Sequence, residues 1–323
     1  MKTVVNRCYN QLNAIVVEER TLPELKDNEV CIQVHAAALN KSDLLLALGK
    51  PFMIKMMYGL KQPKKIYPGS DFAGEILSVG SKVTDFKPGD HVFGDLSGAG
   101  FGAFAEQLIA PASKIWLMPK GYSFLETSSM PMALGTALTA VQKVSDLKHK
   151  RVLIYGGSGG VGRFLVQVVL HLGGSVTVVS SQKHFLDFNQ LGVGDLLDYT
   201  DPAFTLPSQT FDVIFAVNGY QPIQSYAKSL VKGGQCIVIG GSGKQIFGAM
   251  TLGPFYKLFQ QKAFKSVIAS TGHKTLQSIT NIANQFKIDV QMGHVYALIE
   301  ASQAYQDFNS HKYTGKYVFD MQK

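Results

Sequence analysis

"VLIYGGSGGVGRFLVQ", residues 152–167, fits two motifs with incompatible chemistry. In one frame, Gly156-Gly157-Ser158-Gly159-Gly160 matches G-x-S-x-G, the strained elbow that presents a serine nucleophile in many hydrolases. One residue later, Gly157 to Gly162 matches G-x-G-x-x-G, a loop that cradles a dinucleotide pyrophosphate. Both frames lie between a strand-like run, "RVLIYG" (151–156), and an apolar helix-length run, "VGRFLVQVVLHLGG" (161–174). Local structure therefore does not separate them.

Requirements elsewhere in the chain do. An elbow needs an acid and then a histidine downstream, and an oxyanion loop upstream. Asp212 with His273 or His294 would have to fill those roles, and no pattern marks them. Nor has an elbow any use for Gly159, Gly160 and Gly162 together. A pyrophosphate cradle uses them: Gly157 makes the tight turn, Gly159 lets the backbone approach, and Gly162 lets the helix pack on its strand. The N–H groups at the helix start then face the phosphates. Gly157, Ser158, Gly159, Gly160, Val161 and Gly162 are accordingly assigned to the cofactor, with Ser158 a loop residue.

The next strand, "SVTVVS" (175–180), ends where an adenosine ribose would sit. An NAD site places Asp or Glu there to accept from the 2′-hydroxyl. Here Ser180-Ser181-Gln182-Lys183 follows, with no carboxylate before Asp187. Two hydroxyls and a lysine suit a 2′-phosphate, which predicts NADPH bound by Ser180, Ser181 and Lys183. A polar turn that merely lacks an acid is the alternative.

With 323 residues, 46% hydrophobic and 17% charged, the chain has the composition of an ordinary globular protein and length for two domains. No apolar run reaches the roughly 18 residues of a membrane span. The opening stretch "MKTVVNRCYNQLNAIVVEER" has no uninterrupted apolar segment, so a cytoplasmic protein is expected. Cys8, Cys31 and Cys236 are scattered and suggest small buried or half-buried residues. The eight histidines form no H-E-x-x-H pair, and no metal is expected. A net charge of +8 raises the question of nucleic acid, but the densest basic cluster, "KQPKK" (61–65), has no interleaved aromatics. No nucleic-acid partner is expected; a solvated surface and a phosphorylated cofactor account for the charge.

The first 120 or so residues read as β structure, with strands at 29–39, 72–80 and 91–96 and a turn at Lys87-Pro88-Gly89-Asp90. From about residue 123, strands alternate with helix-length segments. After 151–156 and 175–180 come "DVIFAV" (212–217), "CIVIGG" (236–241) and "FKSVIAS" (264–270), the pattern of a parallel sheet built from βαβ units. A helix over 275–286 and a strand "GKYVFDM" (315–321) follow.

The stretches "VHAAALNKSDLLLALGK", "IYPGSDFAGEILSVGSKVTDFKPGDHVFG", "GAFAEQLIAPAS", "ALGTALTAVQ", the glycine loop and "GKYVFDM" occur in one order. In that order they resemble the medium-chain dehydrogenase/reductase superfamily, and within it the zinc-free quinone oxidoreductase branch. The resemblance implies an α/β fold in which a Rossmann doubly wound parallel sheet is inserted into a GroES-like, mainly-β catalytic domain. The catalytic domain would comprise 1–122 plus 290–323, and the NADPH-binding domain 123–289, with the nicotinamide in the cleft. It also implies a homodimer, formed by pairing the Rossmann edge strand 264–270.

Zinc-using relatives bind their metal through a cysteine, a Gly-His-Glu step and a further cysteine. In this chain Asn40 stands at the first position and Ser70-Asp71 replaces His-Glu. Without a Lewis acid, alcohol oxidation loses its main stabilising element, whereas hydride delivery to an electrophilic acceptor remains feasible. By family position Asn40 lies near the nicotinamide ribose and the substrate carbonyl; alternatively it organises only its own turn. Asp43 buttresses that loop, and Lys41 stands where the family usually has proline. Thr136, Tyr199, Asn218, Gly240 and Gly241 complete the expected cofactor contacts.

"KPFMIKMMYGLKQPKK" (50–65) is longer and more apolar than a surface connection requires. Its Phe52, Met53, Met56, Met57 and Tyr58 either wall the acceptor pocket or pack as a helix into the small domain. Tyr58 or Tyr67 could donate a proton, which places Asn40, Asp43 and Tyr58 as the candidate catalytic residues. The expected activity is zinc-independent, NADPH-dependent hydride delivery to a quinone, enone or enal. The alternatives are an enoyl-thioester reductase and a non-catalytic NADPH-binding protein.

Overall fold

A computed structural model of the chain describes residues 1–64, 66–241, 243–267 and 272–323. Contacts divide it into two compact units, Met1–Gly135 with Thr271–Lys323, and Thr136–Ser270.

In the first unit, β1 (Lys2–Val5) and β2 (Val16–Glu19) form an antiparallel hairpin. Then come β3 (Glu29–Leu39), α1 (Lys41–Leu48), α2 (Phe52–Tyr58), β4 (Asp71–Val79), β5 (His91–Asp95), β6 (Gln107–Pro111), β7 (Ile115–Leu117) and α3 (Phe124–Ser128). α4 (Pro131–Val141) leads into the second unit.

That unit runs β8 (Arg151–Tyr155), α5 (Gly160–His171), β9 (Ser175–Ser180), α6 (Phe185–Gln190), β10 (Asp195–Asp198) and β11 (Phe211–Ala216). It continues through α7 (Ile223–Ser229), β12 (Leu230–Val238), α8 (Gly243–Gln260) and β13 (Ala263–Ser266). The chain then returns to the first unit with α9 (His273–Gln285), β14 (Met292–Ala297), α10 (Ala301–Asn309) and β15 (Lys316–Asp320).

The strands of the second unit pair in the order β10-β9-β8-β11-β12-β13, every neighbour parallel. The order reverses between β8 and β11, the switch point at which doubly wound sheets leave a crevice beyond the strand carboxyl ends. α5 follows β8 because Phe164, Leu165, Val166, Val168 and Val169 are all buried, and Gly173, at φ +80°, ends its last turn.

In the first unit the sheet order is β14-β15-β3-β4-β5-β7, with β6 also on β3. β15, the last strand in sequence, lies antiparallel to β3 with Tyr317 opposite Leu39. The C-terminus therefore completes the N-terminal sheet, and the Rossmann sheet is an insertion in a mainly-β unit. Its core joins Ile32, Phe72, Phe104, Tyr305 and Phe319; a separate core in the second unit is built on Ile214, Tyr226 and Leu230.

Some expectations shift. β12 begins at Leu230 rather than 236, and β13 is Ala263–Ser266, while 268–270 of the expected edge strand lie outside the described residues. Cys8 is exposed, unlike Cys31 and Cys236, which are buried as small apolar residues.

Candidate functional site

The carboxyl ends of β8, β11 and β12 converge on the glycine loop. Gly156, at φ +87°, turns the chain out of β8, and the N–H groups of Val217 and Asn218 donate to the Tyr155 carbonyl at 3.0 and 3.3 Å. α5 then starts with Gly159 at its N-cap and no side chain capping it. Gly162 faces the turn so closely that a Cβ there would meet Gly157 Cα at 2.7 Å and its carbonyl oxygen at 2.8 Å, with the Gly156 oxygen nearer still. At Gly159 the nearest atom to such a Cβ is 3.9 Å away. One glycine is demanded by the fold. The other leaves open space above an uncapped helix start, which fits a pyrophosphate. Ser158 is half-buried in the same loop, and Gly160 and Val161 open the helix.

Gly240 and Gly241 follow β12. The Gly240 N–H donates to the Ala216 carbonyl at 3.4 Å, and Asn218 stands exposed beside Gly156. Thr136 is buried on α4.

At the end of β9 the predicted residues separate. Ser180 is fully buried and its hydroxyl donates to the Ser181 carbonyl at 3.3 Å, so its Oγ is committed within the turn. Ser181 is half-buried, Lys183 is exposed, and the N–H of the exposed Tyr199 donates to the Ser180 carbonyl at 3.3 Å. Two further groups meet here. Asp198 of β10 lies opposite Ser180 and accepts from the Thr200 hydroxyl at 2.7 Å and the Thr200 N–H at 2.8 Å, contacts that hold its carboxyl below the ordinary value. Burial pushes the His184 imidazole down, and nearby Lys183 and Arg163 add to that effect against Asp187. The corner thus carries two cations, Lys183 and Arg163, and two carboxylates, Asp187 and Asp198, of which linear spacing does not reveal Asp198.

In the first unit, β3 passes into α1 at Asn40, which is buried. The Asn40 backbone N–H donates to Asp43 Oδ2 at 2.8 Å, so Asp43 closes the first turn of α1. The Asn40 side-chain amide donates to Asp71 Oδ2 at 2.9 Å and to the Ala38 carbonyl at 3.4 Å, and its Oδ1 accepts from Lys316 Nζ at 2.7 Å. Asp71 also accepts from the Met132 N–H at 3.0 Å. Lys316, brought in by β15, is buried with these groups, and Asp95 lies buried nearby on β5.

Three carboxyls and one ammonium share a low-dielectric interior, and burial decides their titration. It raises Asp43 from its ordinary 3.8 to about 7, with the Asp95 charge adding to the rise and the Asn40 N–H and Lys316 opposing it. It raises Asp71, again with Asp95 adding and Lys316 opposing. The Lys316 ammonium is pushed down by burial and held up by Asp71 and Asp43.

Asp43 and Tyr58 face one cavity of about 20 Å³, lined also by Asn6, Tyr9, Tyr67 and Phe101. The Tyr58 ring packs edge-on to Phe101, and the Arg20 guanidinium covers the Tyr67 ring at 3.9 Å. α2, which precedes this corner, buries none of its residues. Phe52, Met53, Met56 and Met57 are 65–67% exposed, so the alternative of a helix packed into the small unit is not what forms.

Zinc is the metal that the wider fold family implies. The groups at its usual positions do not suit it: the Asn40 oxygen already takes an ammonium hydrogen, and a buried cation at 2.7 Å opposes a second one. Among the described residues no group of three or more His, Cys, Asp or Glu is arranged to hold a metal ion. Of the residues that build this network, sequence reasoning missed Lys316 and Asp95, and it met Asp71 only as a replacement for a metal ligand.

Comparisons with known proteins agree with this architecture. Residues 26–120 match the alcohol dehydrogenase GroES-like domain, and residues 191–319 match the zinc-binding dehydrogenase domain. A 2-methylene-furan-3-one reductase of Solanum lycopersicum is 31% identical over 243 residues, 72% of this chain; the chain spans 61% of that relative's length. A chloroplast envelope quinone oxidoreductase homolog of Arabidopsis thaliana is 27% identical over 316 residues, 93% of this chain and 92% of the relative. The solved quinone oxidoreductase of Coxiella burnetii superposes with a TM-score of 0.86, covering 99% of both chains at 24% identity. That likeness speaks to the fold. No helix among the described residues is long and apolar enough to cross a membrane.

Proposed function

The chain belongs to the medium-chain dehydrogenase/reductase superfamily, and from that premise we propose that it is an NADPH-dependent oxidoreductase that reduces α,β-unsaturated carbonyls or quinones without a metal. The observation that supports the reading is the buried contact of Lys316 Nζ with Asn40 Oδ1, a fixed ammonium on the residue that stands, by resemblance, in place of the first metal ligand. Alcohol oxidation without a metal loses the Lewis acid that would lower the alcohol's pKa and hold the alkoxide. An enone, enal or quinone is already electrophilic and needs position and a dry site more than a Lewis acid.

NADPH, when bound, supplies the hydride. The chain's own groups do the rest. The open helix start at Gly159 and Gly160 holds the pyrophosphate, and Gly240, Gly241 and Asn218 border the loop at the strand ends. Lys183 and Arg163 offset the charge of a 2′-phosphate, against Asp187 and Asp198, while Ser181 supplies a donor. Asn40 acts as a positioning residue, because its amide hydrogens are already spent on Asp71 and Ala38. The exposed methionines of α2 form an adaptable wall for flat acceptors. The proton that balances the hydride comes from water or from Tyr58. Relatives named for methylene-furanone and quinone reduction favour this reading over an enoyl-thioester reductase or a non-catalytic NADPH-binding protein. Among the described residues β13 is the last strand of its sheet, and there a homodimer would pair its sheets.

The test is NADPH oxidation against a panel of quinones, 2-alkenals, enones and simple alcohols, with and without EDTA. Turnover of the electrophiles that ignores chelator is expected. Alcohol oxidation abolished by EDTA would overturn the metal-free reading.

A further inference from the structure

The inward side of α8 packs on an apolar core, yet it opens with an amide. Gln245 is fully buried, in line with the buried Ala249 and Gly253 on successive turns. The core beside it holds Ile223, Tyr226 and Ala249, so a leucine would suit the position by burial alone. A buried amide costs free energy unless its polar atoms find partners, and the partners identify what Gln245 is for.

Those partners include both loops that leave the parallel sheet beside the glycine turn. Gln245 Oε1 accepts from the Gln221 N–H at 3.2 Å and from the Tyr226 hydroxyl at 3.3 Å. Its Nε2 donates to the Gly240 carbonyl at 3.0 Å. The amide has one workable orientation, because a backbone N–H must meet its oxygen and a carbonyl must meet its nitrogen. Gln221 in turn donates from Nε2 to the Tyr155 hydroxyl at 3.3 Å. The loop after β11 is thus tied to the loop after β12 through Gln245, and to the end of β8 through Gln221. Gly241 shows how close the fit is. At φ +94°, a Cβ there would stand 2.8 Å from Gln245 Nε2 and 2.5 Å from the Gly219 carbonyl oxygen.

We propose that Gln245 is a positioning residue, which fixes these two loops at the spacing that the nicotinamide half of the cofactor needs. The assignment rests on NADPH being that cofactor. Its adenosine corner is at β9 and its pyrophosphate at the β8 turn, so the far half continues toward β11 and β12, on the other side of β8. Loops held by a satisfied buried network keep one arrangement, and hydride transfer depends on such placement. A glutamate at 245 loses the donor to Gly240 while ionised and regains one, an O–H, when protonated.

The experiment joins hydrogen exchange on the cofactor-free chain to calorimetric binding of NADP⁺ and of adenosine 2′,5′-bisphosphate, the adenosine half alone. In Gln245→Met, with native circular dichroism, amides of 218–221 and 240–241 should exchange at least about tenfold faster than in the parent. NADP⁺ should bind about tenfold more weakly and kcat should fall at least about tenfold, while the bisphosphate binds within about twofold of the parent. Gln245→Glu should behave like the methionine variant near pH 8.5 and recover toward the parent near pH 5.5, because burial favours the protonated carboxyl. Parent-like exchange in Gln245→Met overturns the inference. So do equal losses for NADP⁺ and the bisphosphate, which would make Gln245 a packing residue of the sheet as a whole. A parent chain that binds neither ligand overturns the cofactor reading and this assignment with it, whereas failure confined to the Gln245 variants overturns the assignment alone.

Discussion

The turn from β8 into α5 and the turn from β3 into α1 both bring a strand's carboxyl end to a helix N-terminus, yet they are finished in opposite ways. At α5 the cap is a glycine, no side chain covers the first N–H groups, and the space above Gly159 is open. At α1 the cap is Asn40, with Asp43 folded back onto it and Asp71 and Lys316 filling the surrounding volume. An open turn can receive an anion. A filled one receives nothing and instead fixes its own residues, which is why the first suits a cofactor and the second suits neither a metal nor direct donation to substrate.

The largest effect is expected where the filled turn is broken. Lys316→Met leaves Asp71 and Asp43 buried without their counter-charge and should cost about 3–5 kcal/mol at pH 8 by urea unfolding. The loss should shrink near pH 5, where both carboxyls take up protons. A cost below about 1 kcal/mol at both pH values would show that the ammonium is not integral to the turn.

A smaller effect tests its titration. The folded chain keeps the Asp43 proton up to about pH 7, whereas an unfolded chain loses it near 3.8. The folded state therefore binds the extra proton in that window, and this group's contribution makes stability fall as pH rises through it. Asp43→Asn removes the titration, so its unfolding free energy should decline less than that of the parent between pH 5 and pH 8. The difference should be on the order of 1–3 kcal/mol, and parallel pH profiles would remove Asp43 from the account.

The open turn offers a milder test at its far end. Lys183→Glu adds a further carboxylate to Asp187 and Asp198 and should raise KM for NADPH about tenfold while leaving that for NADH unchanged, a difference of about 1.4 kcal/mol. Equal losses with both cofactors would mean that the corner does not read the 2′-phosphate.

The two turns also differ in how far the sequence reveals them. The glycine loop is legible because its parts lie within one short stretch, where Gly162 meets the demand of the close turn at Gly156 and Gly157 and Gly159 keeps the space above the helix start open, so spacing alone carries the information. The filled turn is built from residues 31 and 276 positions apart, and no local pattern joins them. Lys316 reads as an ordinary charge at a strand start until β15 is placed beside β3 and takes it inside. Asp198 is hidden in the same way, reaching Ser180 only through strand pairing. α8 is illegible for a different reason. Gly243, Gly248, Gly253 and Pro254 argue against a helix, and its apolar residues follow the outward face rather than the core.

The most direct measurement is NADPH binding by the parent chain and Gly159→Ala, side by side, by calorimetric titration. The nearest atom to the added methyl is 3.9 Å away, so the fold should accept it with a melting temperature changed by no more than about 2 °C. Affinity for NADPH should nevertheless fall at least about tenfold, because the methyl stands where the backbone must approach the pyrophosphate. Equal affinities in the two proteins would contradict the assignment of the open turn to the cofactor.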